Sequence, residues 1–289
     1  MFSGSIVALV TPFKDGKVDY EKLVELVEFH IESGTDAIVP CGTTGESPTL
    51  NYEEHDKVIA ETVKAARGRL PVIAGTGSNS TEEALRLTKH AVEAGVDGVL
   101  LVCPYYNKPT QEGLYQHFMK LAEIDIPQIL YNIPSRTGVN LLPTTIARLA
   151  KQKNIVAVKE AAGSTDQVQD IMQLTDLVVL SGDDSMTLPF MSVGAQGVIS
   201  VVANIVPTDV HNMVAAYLDG DTAKARKINH KLYGLSKAMF IETSPVPVKT
   251  AMKLLGRLNG EVRLPLVGML PENEKKVASA LKDYGLSAK

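Results

Sequence analysis

A lysine sits near the end of the short apolar run Ile155-Val156-Ala157-Val158-Lys159-Glu160, where an amine can do covalent chemistry. The run is β-branched, bounded by Asn154 and Gly163, and reads as a strand buried on both faces with Lys159 at its carboxyl end. Burial disfavours an ammonium and lowers its pKa toward neutrality. The neutral amine, unlike the ammonium, attacks a carbonyl to form a Schiff base. A lone strand-end lysine more commonly marks the exit of the chain into water, so the weight falls on its companions. Gly42-Thr43-Thr44-Gly45-Glu46 combines glycines, which expose backbone amides in a tight turn, with two hydroxyls, a composition suited to a small carboxylate. Tyr131 ends another apolar run and is followed by Asn132-Ile133-Pro134-Ser135-Arg136-Thr137-Gly138. A phenol beside an amine can relay protons during carbinolamine formation and dehydration, and the Arg136 fork matches a carboxylate. Pro104-Tyr105-Tyr106-Asn107 adds two more phenols.

The elements that must position these residues follow from periodicity. Apolar runs at 6–10, 37–40, 72–74, 98–102, 128–131, 155–158, 177–180 and 197–201 read as strands. Helical patterns fill the gaps. At 19–31 Leu23, Leu26, Val27 and His30 share one face, and further helices are expected at 80–94, 110–122, 143–150 and 166–174. Ser80 and Glu83 have the spacing of a capping box, and Gly34 and Gly95 follow helices where a left-handed cap is expected. Strands alternating with helices at roughly 20 to 35 residues per unit imply parallel strands with right-handed crossovers. Eight such units favour a (β/α)8 TIM barrel, for which about 250 residues suffice, over an open doubly wound sheet. The expected division is a barrel over 1–220 carrying the working loops and a helical extension over 221–289, with helices at 223–241, 248–254 and 272–284.

Composition narrows the functional classes. The chain has 289 residues, 45% hydrophobic and 21% charged, with a net charge of −4, which offers no electrostatic case for nucleic acid or an anionic membrane. Cys41 and Cys103 stand in no CxxC or Cys/His spacing, and the six histidines form no HxH or HExxH pair, so neither a disulfide framework nor a metal site is expected. No apolar stretch approaches the roughly 18 residues of a membrane span, and the first residues lack the basic and apolar regions of a signal peptide, so a cytoplasmic protein is the default expectation. Two look-alikes carry nothing. Gly75-Thr76-Gly77-Ser78-Asn79-Ser80 lacks the third glycine of a dinucleotide fingerprint, and Asp97 begins a strand where a ribose contact would end one. Asn79-Ser80-Thr81 is a glycosylation sequon without meaning in a cytoplasmic protein.

Taken in order, TPF at 11–13, GTTGE at 42–46, GTGSN at 75–79, PYYNKP at 104–109, YNIPSRTG at 131–138, VKEAAG at 158–163, SGDD at 181–184 and GVISV at 197–201 span essentially the whole chain. This set resembles the pyruvate-dependent class I aldolase superfamily of barrels, and within it the dihydrodipicolinate synthase (4-hydroxy-tetrahydrodipicolinate synthase) family. The resemblance implies condensation of pyruvate with aspartate semialdehyde through an imine on Lys159. It further implies that Tyr131 transfers protons and that Thr43 links its phenol to Tyr106, which reaches in from an adjacent subunit. Thr44 would hold the pyruvate carboxylate, Arg136 the carboxylate of the semialdehyde, and Gly182 and Ile199 would line the site. No cofactor or metal is implied, because the imine itself serves as the electron sink. A homotetramer built as a dimer of dimers is the implied assembly.

Ser135-Arg136-Thr137-Gly138 matches the synthase pattern rather than that of the N-acetylneuraminate lyase branch. Another pyruvate-dependent aldolase is the nearest alternative, and a catalytically silent keto-acid-binding barrel lies further off. In lysine-inhibited members of the family, lysine binds at a subunit interface. Ser47, His55, Asn79, Glu83 and Tyr105 match positions used there, while Pro48 and Tyr52 depart from the pattern of strongly inhibited members.

Overall fold

The computed structural model describes residues 2–287. Eight parallel strands form one sheet: β1 (Gly4–Ala8), β2 (Ala37–Val39), β3 (Ile73–Gly75), β4 (Gly98–Val102), β5 (Gln128–Asn132), β6 (Ile155–Glu160), β7 (Val178–Ser181) and β8 (Gly197–Ser200). Each is followed by a helix: α1 (Tyr20–Glu32), α2 (Tyr52–Ala66), α3 (Thr81–Glu93), α4 (Gln111–Leu121), α5 (Pro143–Leu149), α6 (Thr165–Leu174), α7 (Thr187–Ser192) and α8 (Pro207–Leu218). β1 pairs with both β8 and β2, and the ring closes between β2 and β3 through an Ile38–Val72 bridge. That seam is narrow. The Ile38 N–H donates to the Pro71 carbonyl at 3.0 Å and the Gly75 N–H to the Pro40 carbonyl at 2.9 Å. A Cβ at Gly75 would lie 2.3 Å from the Cys41 carbonyl oxygen, so only glycine lets the two strands meet. The architecture is the expected (β/α)8 TIM barrel with additional C-terminal helices.

Strand positions are as the apolar runs indicate, with ends differing by about two residues or fewer. Alternation sorts the side chains into two layers. Ile6, Ala8, Ala37, Val39, Ile73, Leu100, Ile129, Ala157, Leu180 and Ile199 fill the barrel interior. Val7, Ile38, Val99, Leu101, Leu130, Val158, Val179 and Val198 face outward into the helix layer. The same phase sends Tyr131 and Lys159 inward and leaves their neighbours Asn132 and Glu160 facing the helices.

Helix starts are capped by short polar side chains. Asp19 caps α1, Asn51 caps α2, Thr110 caps α4 and Ser164 caps α6. The capping box expected at Ser80 and Glu83 is half formed. Ser80 accepts the Glu83 N–H at 3.4 Å, but the Ser80 N–H goes to Ser78 Oγ at 3.2 Å. The Glu83 carboxylate instead accepts from the Tyr52 hydroxyl at 2.9 Å and from Ser78. The complete box belongs to α2, between Asn51 and Glu54. Two further features lie outside the strand–helix rhythm, the hairpin Phe13–Lys14 with Lys17–Val18 and the single helical turn Pro134–Thr137.

Beyond α8 come α9 (Thr222–Ala238), α10 (Val246–Leu254) and α11 (Pro271–Tyr284). α9 packs along α8 and α11, and α10 packs on α11 and on the turn Val202–Asn204 that follows β8. α10 is buried on nearly every side, from Val246 to Met252, and its Lys249 pairs with Glu46 of the loop after β2. Among the described residues, no helix is long and apolar enough to cross a membrane.

Candidate active site

β5 and β6 pair in register, Tyr131 opposite Lys159. The Lys159 Nζ lies 4.1 Å from the centroid of the Tyr131 ring, and both side chains are buried. Burial pulls the Lys159 amine down to about 7, with Asp184 opposing the shift and the Arg136 guanidinium reinforcing it. Tyr131 moves the other way. Burial raises its phenol, partly offset by Arg136 and by the Thr43 hydroxyl beside it. Near pH 7 a large share of the amine is therefore neutral and the phenol keeps its proton, which suits one to attack a carbonyl and the other to donate or relay a proton.

The Asp184 carboxylate is the buried anion nearest in influence to Lys159. It accepts from the Ser200 hydroxyl and from the Val201 and Val202 N–H groups, each at 3.0 Å for the two amides. Glu160, on the outward face, accepts from Asn132 at 3.0 Å, Gln167 at 2.9 Å and the Ala162 N–H at 2.6 Å. This network pins the ends of β5 and β6 to each other and to α6. Asp184 and Glu160 both lie in recognisable motifs, SGDD and VKEAAG, but residue type and spacing assign neither a part. For Glu160 the pointer is an acidic residue ending an apolar strand, where an unpaired charge would be costly; Asp184, three residues past β7, has none.

The turn after β2 runs from Cys41 to Glu46, and both of these non-glycine residues are left-handed, with φ of 55° and 54°. Inside it, the Gly45 N–H donates to the Gly42 carbonyl at 3.1 Å and the Glu46 N–H to the Thr43 carbonyl at 3.1 Å. Thr11 clamps the Gly45 carbonyl with its hydroxyl at 2.6 Å. Among the described residues, the N–H groups of Thr43 and Thr44 donate to no protein acceptor, although Thr44 is buried. Two adjacent free amides form an anion-binding concavity.

Gly182 follows β7 beside the lysine stem. A Cβ there would sit 2.8 Å from the Ala161 Cβ and 3.1 Å from the Lys159 Cε, so glycine leaves the lysine its path into the barrel. Ile199 is buried in the interior layer. Arg136 stands on the Pro134–Thr137 turn, exposed at the rim, and donates to the Ser244 carbonyl at 2.9 Å.

Two concavities are lined by residues of this region. One, of about 190 Å³, is lined by Thr43 and Tyr131 and extends past Ser47, His55, Glu83 and Tyr105. The other, of about 360 Å³, is lined by Arg136, Gly182, Asp183, Thr243 and Ser244. The structure thus brings Lys159, Tyr131, Thr43, Gly182 and Ile199 together, with Thr44 buried on the turn beside Thr43 and Arg136 exposed at the rim. Tyr106 is apart from them. Its φ is 74° and its ring is 89% exposed on this chain. Of the residues matched to a lysine site, four line the first concavity. Asn79 does not, and its carbonyl accepts from the Asn107 side chain at 2.9 Å. The His55 Nε2 is tied to the Gly75 carbonyl at 3.0 Å, and burial lowers its pKa, so the ring is neutral. Among the described residues, no three His, Cys, Asp or Glu side chains converge as a metal site requires.

Comparison with known proteins agrees with this geometry. The profile of the Dihydrodipicolinate synthetase family matches residues 1–284. The 4-hydroxy-tetrahydrodipicolinate synthase of Geotalea uraniireducens (strain Rf4) is 60% identical over 289 residues, covering 99% of this chain and 100% of that protein. The crystal structure of dihydrodipicolinate synthase from Aquifex aeolicus superimposes with a TM-score of 0.98 at 56% identity, covering 100% of both chains. A structure described as the first monomeric dihydrodipicolinate synthase variant does so with a TM-score of 0.96 at 45% identity, covering 99% of this chain and 97% of that one. A closed barrel with a lysine and a tyrosine paired at its mouth, matched from end to end by these relatives, has one reading: the chain belongs to the dihydrodipicolinate synthetase family.

Proposed function

We propose that this protein condenses pyruvate with L-aspartate 4-semialdehyde to give 4-hydroxy-tetrahydrodipicolinate, acting in the cytoplasm in lysine and diaminopimelate biosynthesis. The observation that carries this reading is the buried Lys159 amine, pulled down to about 7 and set 4.1 Å over the Tyr131 ring. The amine attacks the keto carbon of pyruvate, and loss of water leaves an imine. Protonated, that imine draws electrons from the adjacent methyl, which gives up a proton to become an enamine. The enamine carbon then attacks the aldehyde of the semialdehyde, forming the new carbon–carbon bond. Finally the substrate's own amine adds to the imine carbon and expels Lys159, closing the ring.

Each step assigns work to a residue. Tyr131 carries the protons that carbinolamine formation and dehydration require, with Thr43 orienting its hydroxyl. The free Thr43 and Thr44 amides receive the pyruvate carboxylate. Arg136, open to the second concavity, receives the carboxylate of the semialdehyde. Arg136→Ala therefore raises KM for the semialdehyde by about 10- to 100-fold and leaves KM for pyruvate nearly unchanged, the loss expected for a charge-assisted hydrogen bond. Equal rises in both constants would remove that assignment.

A second copy of the chain supplies Tyr106. An exposed aromatic ring on a left-handed backbone is a side chain held out for a partner, and a homotetramer arranged as a dimer of dimers would place it in the neighbouring site. Sedimentation equilibrium of the full chain measures that assembly. L-Lysine is proposed as a feedback ligand in the first concavity, where the Glu83 carboxylate, the Tyr105 phenol and the His55 ring converge. Millimolar L-lysine is expected to lower activity at least about twofold. An unchanged rate at saturating lysine would reject the site.

The decisive test of the function is direct. Enzyme, pyruvate and aspartate semialdehyde are incubated together and the cyclic product is identified by mass. A product from another aldehyde but none from the semialdehyde would move the protein to another aldolase activity. No adduct with pyruvate on borohydride reduction would leave only a keto-acid-binding barrel.

A further inference from the structure

Lys249 and Glu46 form an ion pair with both side chains 1% exposed, across 203 residues of chain. Lys249 belongs to α10, which the imine chemistry does not involve. Its Nζ also donates to the Glu261 carbonyl at 2.9 Å and lies 4.1 Å over the Phe13 ring, while the Arg263 guanidinium lies 4.4 Å from the same ring. The second Glu46 oxygen accepts the Arg263 backbone N–H at 3.1 Å. Arg263 in turn binds both oxygens of Glu54 at 2.6 Å and the Thr49 carbonyl at 2.9 Å. Both carboxylate oxygens of Glu46 are thus held by the stretch 249–263.

Taking two charges out of water is costly, and well-packed apolar side chains of similar volume would serve stability as well or better. The pair therefore calls for a reason other than stability, and its location supplies one. Glu46 is the last residue of the turn that presents the free Thr43 and Thr44 amides, and it holds a left-handed conformation that a glutamate adopts only when its surroundings impose it. Thr11 fixes the Gly45 carbonyl, and the Glu46 backbone is held locally, its N–H on the Thr43 carbonyl at 3.1 Å and its carbonyl accepting the Thr49 N–H at 2.9 Å, while its carboxylate is the tie between this turn and the stretch 249–263. Released from that grip, Glu46 relaxes toward an ordinary helical or extended backbone and the two amides turn with it.

We propose that Lys249 and Arg263 are positioning residues for substrate binding: by gripping Glu46 from α10 and the loop that follows it they hold the Thr43 and Thr44 amides where the carboxylate of pyruvate lands. This rests on the reading of Lys159 as the imine-forming amine. The helical extension is accordingly wired to the first substrate, not merely packed beside the barrel. The Lys249 ammonium, pulled down to about 8 by burial and pulled back by Glu46, keeps its charge at neutral pH.

The test is borohydride trapping on the full chain over a range of pyruvate concentrations, which separates half-saturation from the limiting rate. The double variant Glu46→Met with Lys249→Met removes both charges at similar volume, and Glu46→Gln removes one while keeping an acceptor for the Arg263 N–H. Half-saturating pyruvate is expected to rise about 10-fold or more in both, with the limiting trapping rate within about 3-fold of the parent, because binding geometry rather than the amine is disturbed. Half-saturation within about 2-fold of the parent, in either variant and whatever the change in Tm, marks a purely structural pair and overturns the proposal. Loss confined to the limiting rate also overturns it. Should the double variant fail to fold, Glu46→Gln decides on the same criteria. The parent chain run alongside separates the two readings: without an adduct on the parent, the imine reading itself fails.

Discussion

Lys159→Met yields no borohydride-trapped pyruvate adduct and lowers turnover by about 10³-fold or more, because no other amine replaces the covalent electron sink. Peptide mapping of the parent chain places the adduct on Lys159. An adduct on another lysine, or one that persists in the variant, would end the assignment. The pH dependence follows from the same burial. With the folded amine at about 7, the rate of trapping at subsaturating pyruvate falls about tenfold per pH unit below 7 and levels off above it. A midpoint near the ordinary lysine value of 10.5 would show that the amine is not desolvated. Stability carries the opposite trace. Between about 7 and 10.5 the unfolded lysine holds its proton and the folded one does not, so stability rises with pH across that window. Lys159→Met therefore raises Tm most below pH 7, and its advantage shrinks as pH approaches 10.5.

Tyr131→Phe is expected to cost about 10²- to 10⁴-fold in turnover, the usual worth of a positioned acid–base group. The ring stays, so the packing against Lys159 and the β5–β6 pairing are preserved, and Tm changes little. The losses should appear in both the rate of imine formation and the subsequent condensation, since each needs a proton carried. A loss below about 10-fold would assign the protons to another carrier. Thr43→Val is the companion measurement. It removes the hydroxyl beside the phenol and should produce a smaller loss in the same steps.

Much of this site is legible in the order of residues, and particular positions show why. Lys159 and Tyr131 pair on sequence grounds because both end apolar runs, and alternation along parallel strands sends residues of the same phase into the barrel. The GTTGE turn reads as an anion cradle because glycine and threonine composition constrains the backbone locally. Ser80 shows the limit of such local rules. Its spacing to Glu83 predicts a reciprocal cap, yet Tyr52, contributed by the preceding helix, takes the carboxylate. Glu46 shows it more strongly, for it is visible in the motif while Lys249, 203 residues on, lies in helical text with nothing to mark it.

The sequence by itself determined the alternation of strands and helices, the barrel class, the strand-end position of Lys159 and the family to which the chain belongs. These are encoded in short-range sterics, periodicity and motif order, each of which acts over a few residues. Tertiary structure alone decided how deeply Lys159 is buried, which carboxylate faces it, how the barrel closes at Ile38 and Val72, and that α10 reaches the Glu46 carboxylate. Those properties depend on which loops the closed ring brings together. Desolvation and Coulomb interaction act through space, and residue type and spacing along the chain do not specify either one.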